Sequence, residues 1–397
     1  MTCNPPYAYC FQKHKDANKD RPIVSYATHP LKIAYNMAAR SLAFIMKHSD
    51  LRSHTLHRVH DMAPHLHAWW DDLHDTFGPH TRFVLYLADV KEMFTNLPHL
   101  EILKAIDFII AACRSTRRVD AAAPSALHLS DPHGSVEFGK ANRLLPQFVT
   151  LSFTDVRDIC RTDITTCYFS TFGIFVKQKL GVPMGSPGST SFAIAYCAYA
   201  EHQFNSSMHD YLHLRHAHRA DRLYRFMRYV DDLFGIIAYD ARSPVSQDLA
   251  NLITHHMTNT TFHPNLRLET EPTANWFPFL EALLCFPPAG PFHIRFHNKN
   301  FAPLLTSGHL KFLKIQHRTS FMSRRDAIAK ITGALHRLAR TLCTPHNHLL
   351  GTIEMFYVYR AQGYSPGVFK SAISAVHSRK PQPIWPIAYT AIDILTS

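Results

Sequence analysis

The sequence predicts an α/β protein whose C-terminal part is mostly helical and basic. Three observations lead there. Compact apolar runs at 83–88 (FVLYLA) and on either side of the acids in 226–238 (FMRYVDDLFGIIA) have the length of buried strands. A Gly/Pro loop at 181–189 (GVPMGSPGS) leads into SFAIAYCAYAEHQF, small and apolar residues suited to a tightly packed helix. Ala327, Ile331, Leu335, Leu338 and Leu342 recur at helical spacing, with Lys330, Arg337 and Arg340 on other faces.

Taken in order, residues 13–28 run from a basic polar loop into a short β-favouring stretch, and a helix is expected over 31–47. The strand at 83–88 stops at Asp89. Residues 114–135 are rich in Arg, Ala, Pro and Ser and read as a surface insertion. Ser186 and Pro187 are placed as N-cap and first helical residue of the next helix. The 226–238 segment reads as a hairpin with Asp231 and Asp232 at its turn. A stretch rich in Pro and aromatics, 272–292, leads to the basic region. There is no internal repeat and no Gly-rich phosphate loop of the P-loop or dinucleotide kind.

With 397 residues, 46% hydrophobic and 12% aromatic, the chain is not disordered and has room for two or three domains. No apolar run approaches the ~18 residues of a membrane span, and Met1–Lys15 lacks a secretory signal pattern. The net charge is +12. It sits in residues 291–397, which hold 14 Lys+Arg against three acids, Asp326, Glu354 and Asp393. A near-neutral body with a basic terminal part suits chemistry in one place and a grip on a polyanion in another. The eight cysteines are scattered without a C-x-x-C pair and read as free or buried thiols. Among 29 histidines, His209, His213, His216 and His218 crowd together, a solvated polar face or, less favoured, a metal chelate.

The chemistry points to Asp89, Asp231 and Asp232. Acids set against strongly apolar strands are costly to bury without a cation or hydrogen-bond donors. If the two strands are neighbours, the carboxylates converge. Hard oxygen donors without nitrogen or sulfur suit Mg²⁺, which takes its other ligands from water and substrate phosphates. Two such ions about 4 Å apart serve an in-line phosphoryl displacement.

YVDD at 229–232 resembles the central motif of reverse transcriptases, and DVKEMFTNLP at 89–98 is similar to their first palm motif. LGVPMGSPGS at 180–189 resembles the loop-and-helix motif between these two, and RPIVS at 21–25 the start of the fingers. Within the group the chain is most similar to the Penelope-like lineage, on QKHKDANKDRPIVS, MFTNLP and MGSP. Met184 stands where retroviral and group II intron enzymes more usually have Gln. FPFLEALL (277–284) and RAQGYSP (360–366) resemble the family's FLD-type and RGYP-type segments. The similarity is most specific over 13–25, 85–98, 177–190 and 226–235. No counterpart of the lineage's C-terminal GIY-YIG endonuclease is expected after the last motif.

The resemblance implies a right-hand polymerase: fingers at 1–80, palm at 81–104, fingers or insertion at 105–165, palm at 166–290, and a basic, mostly helical thumb at 291–397. It implies an RNA-directed DNA polymerase that adds deoxynucleotides to a primer 3′-end. Asp89, Asp231 and Asp232, with the backbone of Val90, would hold two Mg²⁺ ions, or Mn²⁺. Lys13, Lys15 and Arg21 would clasp the triphosphate. Phe94 would lie beneath the sugar and exclude a 2′-hydroxyl, and Gln178, Met184 and Gly185 would line the nucleotide pocket. Lys311, Lys314 and Arg318, spaced as one helical face, and Arg324, Arg325, Lys330, Arg337 and Arg340 would grip phosphates. The implied partners are an RNA template, a DNA or RNA primer and dNTPs, with no membrane and no stable protein partner. Mitochondrial and nuclear locations both stay open. So do two other readings, an RNA-dependent RNA polymerase and a domesticated RNA-binding protein that does not need its carboxylates.

Overall fold

The structure, a computed structural model, describes residues 5–13, 16–116, 126–130, 134–140, 148–216, 222–287, 291–312, 315–320, 322–341 and 344–397. From the N-terminus come β1 (Tyr7–Lys13), β2 (Asp16–Ser25), α1 (Lys32–Lys47), α2 (Met62–Leu73), β3 (Thr81–Val90), α3 (Met93–Asn96) and α4 (His99–Thr116). The middle of the chain forms β4 (Ala126–Ser130), β5 (Val136–Gly139), β6 (Phe148–Ser152), α5 (Phe153–Thr165), β7 (Tyr168–Thr171), β8 (Ile174–Lys177) and α6 (Ser189–His216). Then follow β9 (Tyr224–Tyr229), β10 (Asp232–Asp240), α7 (Pro244–Asn259), β11 (Leu268–Thr270), β12 (Phe277–Phe279), β13 (Ala282–Cys285) and β14 (His293–Phe296). The last part holds α8 (Phe301–Ser307), α9 (Arg324–Thr341), α10 (Pro345–Ala361), α11 (Pro366–Arg379) and α12 (Ile384–Ile394).

Two units divide the chain. The first includes Asn18–His57 and Thr76–Glu271, the second Arg58–Asp75 and Pro272–Ser397. Three sheets lie in the first unit, in strand orders β2-β1-β7-β8, β11-β3-β10-β9 and β5-β4-β6. In the second of these, β10 pairs antiparallel with β3 along its whole length, from Asp232↔Asp89 to Asp240↔Thr81. The apolar run of 83–88 is therefore a central strand, and 226–238 is a hairpin turning at Val230 and Asp231.

Small side chains decide the packing of α6. Ala193, Ala195, Cys197 and Ala200 are buried on it, which lets α1 and α4 approach closely. Their core also takes Leu42, Ile45, Ile102, Ile106, Ile109, Phe153 and Val156. In the second unit α9 buries Ala327, Ile331, Leu335 and Leu338, the stripe expected from spacing; Leu342 lies outside the described residues.

Several expectations are corrected. Of the 13–28 segment, Lys13 ends β1 and the polar residues from Asp16 onward are strand β2 instead of loop, while residues 14 and 15 lie outside the described residues. Residues 114–135 are not wholly a surface insertion: β4 carries Ala126, Leu127 and Leu129 fully into the core between β5 and β6. The composition misled because Ala, Ser and Arg around these residues hide a short buried strand. Helix α6 begins at Ser189, not Pro187. The Ser186 hydroxyl is drawn instead to Asp163, at 2.9 Å from Oδ2. The described cysteines Cys10, Cys160, Cys167, Cys197 and Cys285 are free thiols, three of them buried. Among the described residues no helix is long and apolar enough to cross a membrane.

Candidate active site

Register brings the acids together. On the β11-β3-β10-β9 sheet Asp232 of β10 stands opposite Asp89 of β3, and Glu269 of β11 opposite Asp89 on the other side. Directly opposed residues share a face of a sheet, so the three lie in one row. The hairpin turn is tied to the end of β3 by the Val90 N–H, which donates to the Asp231 carbonyl at 2.9 Å. Val230 before it has φ +57°, a left-handed conformation that a β-branched residue adopts only when its surroundings enforce it. Asp89 and Asp231 are half-buried and Asp232 is exposed.

Burial raises the Asp89 pKa above the usual carboxylate range, and the charge of Asp231 raises it further. Lys91 pulls the other way, while Glu271 and Glu269 add to the rise. Lys91 itself is tied to Glu269 at 2.7 Å on the surface. The donor set is wholly oxygen, and desolvation with the neighbouring acids outweighs the pull of Lys91 on Asp89. Glu269 was missed at the sequence level. Its signal was the alternation LETE at 268–271, which puts Glu269 on the short strand β11 and Glu271 just past its end.

A second cluster surrounds Phe94. The loop before α6 is fastened to the turn after β3 by three bonds. Val182 N–H donates to Phe94 O at 2.6 Å, Gly181 N–H to Leu97 O at 2.9 Å, and His99 Nε2–H to Gly181 O at 2.6 Å. Gly181 has φ +74°, and a Cβ there would stand 2.4 Å from Thr95 O, so only glycine fits. The same loop reaches the other way, because Val24 N–H donates to Met184 O at 2.8 Å. Gly185, at φ +125°, would place a Cβ 2.2 Å from Val24 O. Thus the first palm motif, the middle loop and β2 meet at Phe94, Met184 and Gly185. Arg21 is exposed on β2, three residues before Val24. Phe94 is half-buried and rests partly on the core. The Gln178 side chain donates to Leu180 O at 2.9 Å, which braces the start of the loop.

The loop has one buried acid behind it. Asp163 of α5 accepts the Ser186 hydroxyl among Tyr26, Tyr35, Cys160 and Cys167, and burial pushes its pKa up from 3.8 to about 7. The folded chain therefore keeps a proton that the unfolded chain releases above pH 3.8. Stability from this group is full below that pH and falls as pH rises to about 7. Asp163→Asn removes the slope. Its melting temperature relative to wild type is expected to rise by several degrees between pH 4.5 and pH 8, on the order of a few kcal/mol. Thermal unfolding at the two pH values checks this, and an unchanged or falling difference would refute it.

Lys13 is the last residue of β1, and Lys15 lies outside the described residues. Lys311 and Arg318 do not share a helical face, since the chain around them is not helical, and Lys314 lies outside the described residues. Arg318 instead donates to Met322 O at 3.0 Å. Arg324, Arg325, Lys330, Arg337 and Arg340 do lie on α9 and are exposed. Lys330 bonds Gln316 at 2.7 Å and Arg337 pairs with Glu281 at 3.5 Å. His209 and His213 stack one turn apart on α6 with ring centres 6.4 Å apart, and His218 lies outside the described residues. Among the described residues no three His, Cys, Asp or Glu side chains form a preassembled metal cage.

No protein-family model matches the chain, and no curated protein sequence does. Solved structures do. Apo telomerase from Candida tropicalis superposes with a TM-score of 0.55 at 12% identity, over 98% of this chain and 60% of that one. Telomerase from Candida albicans, in complex with the TWJ fragment of telomeric RNA, gives 0.55 at 12% identity, over 98% and 61%. The chain spans about three fifths of the length of those proteins. At such identity the likeness bears on fold alone. The fold is the right-hand polymerase fold, mixed α/β with an antiparallel palm sheet and a mostly helical thumb.

Proposed function

We propose that the chain is an RNA-directed DNA polymerase, of the reverse-transcriptase kind and closest to the Penelope-like lineage. One observation carries the reading. Acids from motifs far apart in sequence, Asp89 and Asp231–Asp232, meet at one end of a sheet, with Asp232 opposite Asp89 and the Val90 N–H on the Asp231 carbonyl. A half-buried carboxylate whose pKa is raised by desolvation and by a neighbouring acid is a poor choice for stability and a good one for binding a cation.

The residues fit a divalent ion. Mg²⁺ needs one or two protein carboxylates and completes its shell with water and phosphate oxygens, so an all-oxygen pair suffices. Asp89 and Asp231 would hold two ions, Asp232 would complete the cluster, and the backbone of Val90 would lie beside it. When bound, such ions supply charge stabilisation for the displaced pyrophosphate and the attacking primer oxygen. The chain's own task is positioning. Arg21 has the fixed fork that suits a triphosphate, with Lys13 and Lys15 in support. Phe94, held by its backbone bond to Val182, would lie beneath the sugar. Met184, Gly185 and Gln178 would shape the floor under the nascent base pair.

In this reading residues 291–397 of the second unit supply the thumb, and the palm carries the acids in the first unit. The exposed cations of α9, with Lys311, Lys314 and Arg318, would hold template–primer phosphates without regard to sequence. RNA in the complex of the Candida albicans telomerase supports an RNA template here. The test is primer extension on poly-rA with oligo-dT, dTTP and Mg²⁺, in parallel with a poly-dA template. Extension on RNA that disappears with chelator is expected, and Mn²⁺ should restore it. RNA binding without any extension would overturn the enzyme reading in favour of a binding protein.

A further inference from the structure

A buried ion pair sits directly behind the acidic hairpin. Arg228 of β9 and Glu201 of α6 are both fully enclosed, and two Arg228 nitrogens, Nε and Nη2, donate to the Glu201 carboxylate. Removing two charges from water costs several kcal/mol per ion, and an apolar pair of similar volume is often at least as stable. The cost is partly met because all three guanidinium nitrogens donate. Nη2 also donates to Thr55 Oγ1 at 3.1 Å, and Nη1 to the carbonyl of Val230 at 2.7 Å. Glu201 Oε2 accepts in addition from the His54 N–H at 2.9 Å. The backbone is fixed as well: Arg228 N–H donates to His54 O at 2.6 Å, and Leu56 N–H to Arg228 O at 2.8 Å. Burial lowers the His54 pKa to about 4, so that ring is neutral and leaves the carboxylate to Arg228.

The bond to Val230 distinguishes this pair from simple core packing. Val230 is the residue with φ +57°, and the next residue is Asp231, whose own carbonyl takes the Val90 N–H. The strained peptide is thus gripped from both sides. We infer that Arg228 and Glu201 are positioning residues that fix the Val230–Asp231 turn and so set where the Asp231 carboxylate meets a cation. The inference rests on the polymerase reading for its catalytic consequence, while its geometric part is independent of it.

The decisive variant is Arg228→Met with Glu201→Met, which removes both charges, fills the space and cannot hold the Val230 carbonyl. Mn²⁺ affinity is measured by electron paramagnetic resonance titration, and kcat and KM for dTTP by primer extension. The double variant is expected to melt near wild type, bind Mn²⁺ about tenfold more weakly and lose about tenfold or more in kcat, with KM for dTTP little changed. A well-folded double variant with wild-type Mn²⁺ affinity overturns the proposal. If the double variant does not fold, Arg228→Lys takes its place: its ammonium keeps Glu201 paired but lacks the fork that also reaches Val230, and the same fall or constancy in Mn²⁺ affinity decides. Wild type that binds Mn²⁺ but extends no primer overturns the polymerase reading alone, and the variants' affinities still decide the role of the pair. Wild type that binds no Mn²⁺ overturns both.

Discussion

Asp231→Ala is expected to reduce primer extension by at least about 10³-fold while leaving the fold intact. The carboxylate is half-buried at a turn, and its removal opens no apolar cavity. It also relieves the like charge that raises Asp89, so the Asp89 carboxyl should titrate at lower pH in the variant. Steady-state incorporation of dTTP gives the rate, and carboxyl chemical shifts against pH give the titration. Extension surviving within tenfold of wild type would sink the assignment of the site. The two readouts are independent. A protein whose Asp89 titration moves while its extension is unchanged would have its acids together and its chemistry elsewhere.

The second large effect is on sugar selection. Phe94→Ala is expected to lower discrimination between dTTP and UTP by about 10- to 100-fold, measured as the ratio of their kcat/KM values. The loop should stay in place, because the bonds that fasten it to this turn use the Phe94 and Leu97 carbonyls and not the ring. Some stability is lost, since the ring rests partly on the core; about 1–3 kcal/mol follows from its burial. Unchanged discrimination in a folded variant would reduce Phe94 to a packing residue. An enzyme that already accepts UTP as readily as dTTP would instead be an RNA polymerase.

What could be read from the sequence was what depends on local pattern. The apolar run 83–88, the acids of 229–232 between two strands and the stripe on α9 each follow from periodicity, and all were found. The meeting of Asp89 with Asp232 was conditional on strand order, which no local signal encodes. It follows from β10 pairing with β3 instead of some other strand. Arg228 and Glu201 were invisible for a different reason. A lone Arg in FMRYV and a lone Glu in AYAEHQF carry no local signal of a partner, and only the packing of α6 against the hairpin shows that they neutralise one another. Composition failed at β4, where Ala126 and Leu127 looked like part of a loose insertion, and spacing failed at Lys311 and Arg318, which lie in described stretches with no helix. Ser186 was read as a cap because Ser-Pro is a common helix start; the buried Asp163 offered a stronger acceptor.

The latch between the turn after β3 and the loop before α6 bears on how such a chain can be rebuilt. Three bonds and a glycine with no room for a Cβ join residues 94–99 to 181–182, although some 80 residues separate them in the sequence. The two stretches therefore behave as a single heritable block. A chimera that imports the middle loop from another polymerase without its matching first-motif turn would graft half of a joint. Exchange of both segments together keeps this joint, and the β2 stretch around Val24, which the loop also bonds, belongs to the same transplant.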